Sequence, residues 1–128
     1  MAKKTAYYND ELPTLRFPWA LKVTDFKEIL FVSGHADVKH DNRTANFPND
    51  LIGQTRFILK QIDKSIKEAG FTINDAIRTE IMVTKEVKEV LKDYVGEAKV
   101  KPAAGTMRFV ERLISRACLV EIEVMLAR

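Results

Sequence analysis

The chain has 128 residues, 21 Lys and Arg against 18 Asp and Glu, a formal net charge of +3 and 46% hydrophobic residues. That length fits one domain, and the composition is that of a globular chain able to bury a core without covalent staples. A single cysteine, Cys118, rules out an internal disulfide and points to a reducing compartment. No stretch approaches the roughly 20 apolar residues of a membrane helix, and residues 1–10 carry no apolar run of the signal-peptide kind, so the expectation is a soluble, cytoplasmic protein without membrane contact. Basic and acidic residues interleave, and no patch of clustered Lys and Arg indicates nucleic-acid binding.

In chain order, residues 1–13 are polar and end at Pro13, which reads as a loosely held arm on a single domain spanning 1–128. Leu15 to Val23 reads as extended, with Pro18 marking an edge strand or bulge, and Phe17, Trp19 and Leu21 share a parity. Glu28 to Ser33 is a short apolar run rich in strand formers, closed by Gly34-His35-Ala36-Asp37. Residues 38–47 are polar and turn-rich. Asp50 to Ala69 is an amphipathic helix, with Leu51, Phe57/Ile58/Leu59, Ile62, Ile66 and Ala69 at helical spacing, Asn49 or Asp50 as cap and Gly70 past its end. Thr72 to Asp75 is a turn and Ala76 to Val83 a strand. Thr84 suits the cap of a second helix, Lys85 to about Val95.

Two strands follow a Pro/Gly-marked loop, Thr106 to Leu113 and Ala117 to Leu126. The last one alternates. Cys118, Val120, Ile122, Val124 and Leu126 fall on one face, and Leu119, Glu121, Glu123 and Met125 on the other. The order β-β-(β)-α-β-α-β-β predicts an α+β fold, a mixed sheet with two helices packed on one face. Phe31, Met82 and Met125 are then left on a second face that two helices cannot cover, which predicts burial in a homo-oligomer.

Four segments carry a resemblance to a known family. They are Leu30-Phe-Val-Ser-Gly-His, similar to a family strand ending in Ser-Gly-Gln; the helix from Gln54 through Ala69-Gly-Phe; Asp75-Ala-Ile-Arg-Thr-Glu-Ile-Met-Val-Thr; and Leu119-Val-Glu-Ile-Glu-Val. In this order and spacing they resemble the YjgF/Rid (reactive intermediate deaminase, endoribonuclease L-PSP-like) family across essentially the whole chain. The resemblance implies a chorismate-mutase-like homotrimer whose sheets form a central barrel, with clefts between subunits. It also implies cofactor-free hydrolysis of enamine or imine intermediates such as 2-aminoacrylate. In such members a glutamate at the first position of Glu-Ile-Glu orients water, and that position is Glu121. An arginine after Pro-Ala grips the substrate carboxylate, and that position is Ala104. The chain thus reads as a divergent member that has lost this guanidinium, whose bidentate charge-assisted contact is a strong one. Arg108 shares the parity of Ala104 but stands ~13 Å further along the strand at ~3.3 Å per residue, which favours an ordinary surface or subunit-contact role.

The implied ligand-binding set is Trp19, Ser33, Gly34, His35, Ala104, Gly105, Thr106 and Arg108, with Glu121 catalytic. Against it stand simpler readings, a solvated Glu121 and a His35 hydrogen-bonded locally at a strand end. Cys118 lies on the apolar parity, as a buried inert thiol does. Neither His35 nor His40 has metal-ligand spacing to other donors, so no metal is expected, and no cofactor. The leading reading is a trimer hydrolysing an imine-type metabolite other than 2-aminoacrylate. The alternative is a non-catalytic trimer that binds a small metabolite or a partner. Ribonuclease activity, attributed to some relatives, finds no support in the charge pattern.

Overall fold

The computed structural model describes residues 2–9, 11, 18–84 and 103–128. The strands are β1 (Lys3–Tyr7), β2 (Ala20–Thr24), β3 (Ile29–Ala36), β4 (Ala76–Val83), β5 (Ala104–Phe109) and β6 (Val120–Ala127), with one long helix, α1 (Leu51–Glu68). β1 and β2 form an antiparallel pair of their own, and the other four make a sheet ordered β3-β6-β4-β5. β6 runs antiparallel to both of its neighbours, so β3 and β4 are parallel, with α1 as the crossover that joins them. β5 lies parallel to β4 at the edge. The second expected helix, residues 85–95, lies outside the described residues.

α1 begins where Asp50 accepts a hydrogen bond from the Gly53 N–H at 2.9 Å, which satisfies one of the first-turn donors. It gives way at Gly70, whose φ of +80° suits a residue without Cβ. One stripe of the helix, Ile58, Ile62 and Ile66, is wholly buried and packs on Ile81, Val83, Val120, Ile122, Val124 and Leu126 from the sheet. Each such side chain contributes roughly 1.5–3 kcal/mol on burial. Gln54, also fully buried, fastens the helix to the approach of β6. Its Nε2 donates to Phe47 O at 3.0 Å and Ala117 O at 2.9 Å, and its Oε1 accepts from Leu119 N at 2.8 Å.

The residues expected as a loose arm instead hold β1, paired with β2 from Lys3↔Thr24 to Tyr7↔Ala20. Lys4 secures this hairpin to the sheet by donating to the carbonyls of Asn74 and Ala76 at 2.5 and 2.7 Å. The two terminal strands are shorter than the sequence pattern predicts at the ends that face each other along the chain: β5 starts at Ala104 and stops at Phe109 rather than Leu113, and β6 starts at Val120 rather than Ala117 and runs to Ala127. The segment 110–119 between β5 and β6 is irregular, and the Ser115 Oγ bonds Arg43 O at 2.6 Å there. The predicted strand over Ala76–Val83 matches β4.

Thr79, on the core side of β4, has a fully buried Oγ1 with no hydrogen-bond partner among the described residues. A buried orphan hydroxyl carries its desolvation penalty uncompensated. Thr79→Val should therefore raise stability by about 1 kcal/mol, read as a higher urea midpoint at unchanged slope. A lower midpoint would mean that the hydroxyl has a partner in the folded chain.

Candidate functional site

The alternation of β6 sorts the sheet into two faces. Val120, Ile122, Val124 and Leu126 are buried against α1, while Glu121, Glu123 and Met125 share the open face. Register then fixes which residues meet there. Met125 lies opposite Phe31 and Arg78, Glu123 opposite Glu80, and Glu121 opposite Met82. On the far side of β4, Arg78, Glu80 and Met82 pair with Ala104, Thr106 and Arg108. Phe31 is 70% exposed on this face.

β3 carries a bulge. Val32 pairs with Val124 and His35 with Ile122, so Ser33 and Gly34 together oppose the single residue Glu123. Beyond the bulge the parity is inverted, and Ala36 is the residue opposite Glu121. The Glu121 carboxyl comes back over the bulge. A Cβ built on Gly34 would stand 2.9 Å from Glu121 Cδ and 3.0 Å from Oε2, so the carboxyl lies directly on the Gly34 backbone. Only glycine admits that approach.

Of the expected site residues, the structure therefore brings Ser33, Gly34 and Glu121 together. His35 follows them, and its Nδ1 is 2.7 Å from Ser33 O, the local strand-end hydrogen bond. Ala104, Gly105 and Thr106 are not beside Glu121. The Glu121–Met82–Arg108 row and the Met125–Arg78–Ala104 row lie four residues apart along the strands, or about 13 Å at ~3.3 Å per residue. Within one subunit the Ser33–Gly34–Glu121 group and the Ala104 end of β5 therefore stand apart along the strands. Arg108 is engaged by Glu80, its Nη2 3.5 Å from Glu80 Oε1. Trp19 stands just before β2, 62% exposed, and Phe17 lies outside the described residues. Cys118 is buried, and burial pushes its thiol up, as expected of an inert cysteine.

Between β3 and β4, across β6, the open face sinks into a cavity of about 250 Å³ lined by Phe31, Val32, Ser33, Arg78, Glu80, Glu123, Val124 and Met125. Arg78 Nη2 donates to Glu80 Oε1 at 2.9 Å and to Thr106 Oγ1 at 3.3 Å. The Arg78 guanidinium, then the hydrogen bond to Glu123, hold the Glu80 carboxyl below its ordinary range. The Glu80 hydrogen bond, burial and the nearby Glu80 and Glu121 charges push Glu123 up. When the pair holds a single proton, these directions favour Glu123 as its carrier and Glu80 as the acceptor. Sequence reading missed this cluster. Its visible trace is Arg-x-Glu at 78 and 80, two residues on one strand face, but the pairing with Glu123 depends on register.

The sign of the pH effect follows from these directions. For Glu123, raised in the folded state, the stabilising share is fully present below the ordinary glutamate pKa and is lost as pH rises through the raised value. For Glu80, lowered, it is present above the ordinary value and lost as pH falls through the lowered one. Glu123→Gln keeps a neutral donor to Glu80, so this variant should lose less thermal stability than wild type between mildly acidic and alkaline pH. Parallel melting curves across that range would show the assignment of the proton to be wrong.

The fold and the first-position glutamate of Glu121-Ile-Glu123 now stand beside the comparisons with other proteins. The profile described as Endoribonuclease L-PSP matches residues 13–127. A RutC family protein of Pyrococcus horikoshii is 30% identical over 121 residues, covering 90% of this chain and 89% of that protein. Crystal structures of two Rid family proteins of Yersinia pestis superpose closely. YyfB, described as of unknown function, has a TM-score of 0.76 at 19% identity and covers 98% of each chain. YyfA has a TM-score of 0.67 at 28% identity, covering 98% of this chain and 100% of its own. No helix among the described residues is long and apolar enough to cross a membrane. With the profile running through nearly the whole sequence and the fold shared with these structures, the chain belongs to the endoribonuclease L-PSP family, the YjgF/Rid proteins.

Proposed function

We propose that the protein is a homotrimer that hydrolyses the C=N bond of a small imine, or of the enamine in equilibrium with it, in clefts between subunits. The observation that carries this reading is the Glu121 carboxyl seated on the Gly34 backbone at the β3 bulge. A carboxylate resting against the strand backbone can accept a proton from water and direct the oxygen at an electrophilic carbon. Addition of that water to the imine carbon gives a carbinolamine. Transfer of a proton to nitrogen then lets the C–N bond break, releasing ammonia and a carbonyl compound. No electrons change hands, and no cofactor is needed.

The trimer reading is supported by the separation of Glu121 from Ala104, Gly105 and Thr106 within one chain. A cleft that uses both ends of the sheet needs two copies. The open face, with Phe31 70% exposed, supplies the surface for such contact. Ala104 offers no charge to a substrate carboxylate, which supports a substrate other than 2-aminoacrylate. The same residue favours the second reading, a non-catalytic trimer that binds a small metabolite.

The test is hydrolysis of 2-iminopropionate, generated in situ by an amino-acid oxidase, by wild type, Glu121→Gln and Ala104→Arg, with mass by light scattering. Wild-type acceleration abolished in Glu121→Gln supports hydrolysis of a carboxylate-bearing imine. Activity gained only in Ala104→Arg supports an intact site tuned to another imine. Inactivity of both sinks the enzymatic reading in favour of the binding one, and a monomer at micromolar concentration sinks the cleft.

A further inference from the structure

Register sets Glu80 directly across from Glu123 on β4 and β6, the two inner strands of the sheet, so two carboxylates meet in the middle of the open face. We infer that this pair ties assembly to pH: copies of the chain join through the open face while the pair keeps one proton, and the contact weakens as that proton leaves. The inference rests on the assembly proposed above and names what regulates it.

Four charged groups share this face with Glu123. β4 carries Arg78 and Glu80, β5 carries Arg108, and β6 carries Glu121. β3 brings Phe31 and Ser33, neither of them charged, and α1 packs on the other face. Both guanidinium groups reach Glu80, whose Oε1 lies 2.9 Å from Arg78 Nη2 and 3.5 Å from Arg108 Nη2. With Glu123 protonated, the two arginines balance Glu80 and Glu121. With Glu123 ionised, the face carries one negative charge in excess.

A second copy that covers the apolar part of the face must cover the pair as well. Phe31, 70% exposed, lies opposite Met125, two residues along β6 from Glu123, and all three line the same cavity as Glu80. Desolvating an unbalanced charge costs far more than desolvating a balanced cluster. In a single copy the Glu80 hydrogen bond, burial and the Glu80 and Glu121 charges already hold the Glu123 carboxyl above its ordinary range. Covering the face raises it further, so the assembled form binds more protons than the separate copies do. Assembly is therefore strongest below the value that Glu123 has in a separate copy, and weakens as pH climbs from there to the value it has in the assembly. Each subunit releases at most one proton, so the association constant falls by up to about tenfold per subunit for each unit of pH in that window.

The experiment is light scattering on dilution series of the full chain from about pH 6 to about pH 9, for wild type, Glu123→Gln and Glu80→Gln, with circular dichroism at each pH. In wild type the concentration at which half the copies are assembled should rise at least about tenfold over that range. Glu123→Gln keeps a donor to Glu80 and cannot ionise, so its midpoint should stay within about twofold and match that of wild type at the acid end. Glu80→Gln leaves the two arginines against Glu121 and Glu123, a face that balances with Glu123 ionised, and its assembly should not weaken as pH rises. The two substitutions lie on different strands, so loss of the wild-type spectrum in one leaves the other to decide. No rise in wild type, or a rise shared by both variants, overturns the inference and leaves the intersubunit cleft standing. Monomers at every pH and concentration overturn it together with the cleft.

Discussion

Asp37→Ala should lower the stability of this protein by about 3 kcal/mol, a large part of the margin of a domain this size. Asp37 is wholly buried, yet it directly follows β3 and opens the loop to α1. Its Oδ1 accepts from Asn46 N at 3.0 Å and Asn46 Nδ2 at 2.7 Å, and its Oδ2 from Phe47 N at 2.8 Å. Each bond to a charged acceptor is worth roughly 1.5–3 kcal/mol. The sum is not reached, because Asn46 and Phe47 are exposed and can turn their donors to water. What alanine cannot restore is the closure of the loop. Residues 38–46 are drawn across so that Asp41 can cap its own turn, where the backbone N–H groups of Thr44 and Arg43 hold its carboxyl down at about 2. Phe47 is thereby delivered to the start of α1, and its carbonyl receives Gln54 Nε2. Asp37→Asn retains one good acceptor and should cost about half as much. Urea midpoints measure both. A loss below 1 kcal/mol for Asp37→Ala would mean that the loop is held by other contacts.

How far the sequence could be read depends on how local each feature is. α1 and β4 were legible because their evidence is local, an apolar stripe at helical spacing with Asp50 and Gly70 at its ends, and a short apolar run between turn residues. The two faces of β6 were equally legible from alternation. β1 was not, because Lys-Lys-Thr-Ala-Tyr is short, polar and apolar at no useful period. Its strand character comes from pairing with β2 and from Lys4 reaching the Asn74 and Ala76 carbonyls. The site divides the same way. Glu121 was singled out through a resemblance, and Gly34 beside it, but their contact depends on a two-for-one bulge against Glu123 that no single strand encodes. Alternation put Glu121 and Glu123 on one face but could not say that Glu123 would meet Glu80. Nor could it say that Arg78 would stand next to Ala104, since both facts are register between distant segments. The separation of Glu121 from Ala104 by four strand positions was likewise hidden until strand order was known.

Gly34→Ala should leave the fold nearly intact and cost the proposed hydrolysis about 100-fold, because a misplacement of ~1 Å at a catalytic group has that scale of effect. The added Cβ would stand 2.9 Å from Glu121 Cδ, 3.0 Å from Oε2 and 3.2 Å from Cγ. Those atoms are the far end of a flexible side chain on an open face. They can move aside without disturbing Ile122 or the core behind it, so the change in stability should stay below about 1 kcal/mol. The carboxylate, however, can no longer rest on the Gly34 backbone. Glu121→Gln removes the proposed base and should cost about 10²–10⁴-fold, the usual range for losing a positioned proton acceptor. If both substitutions act through the same carboxylate, the double variant should be no slower than Glu121→Gln alone, and the coupling in the cycle should equal nearly the whole effect of Gly34→Ala. Effects that multiply would mean that alanine at 34 harms activity by another route, such as closing the cleft to substrate. Full activity in Gly34→Ala with a wild-type urea midpoint would remove Glu121 from the chemistry, since its carboxyl would then have been displaced without consequence.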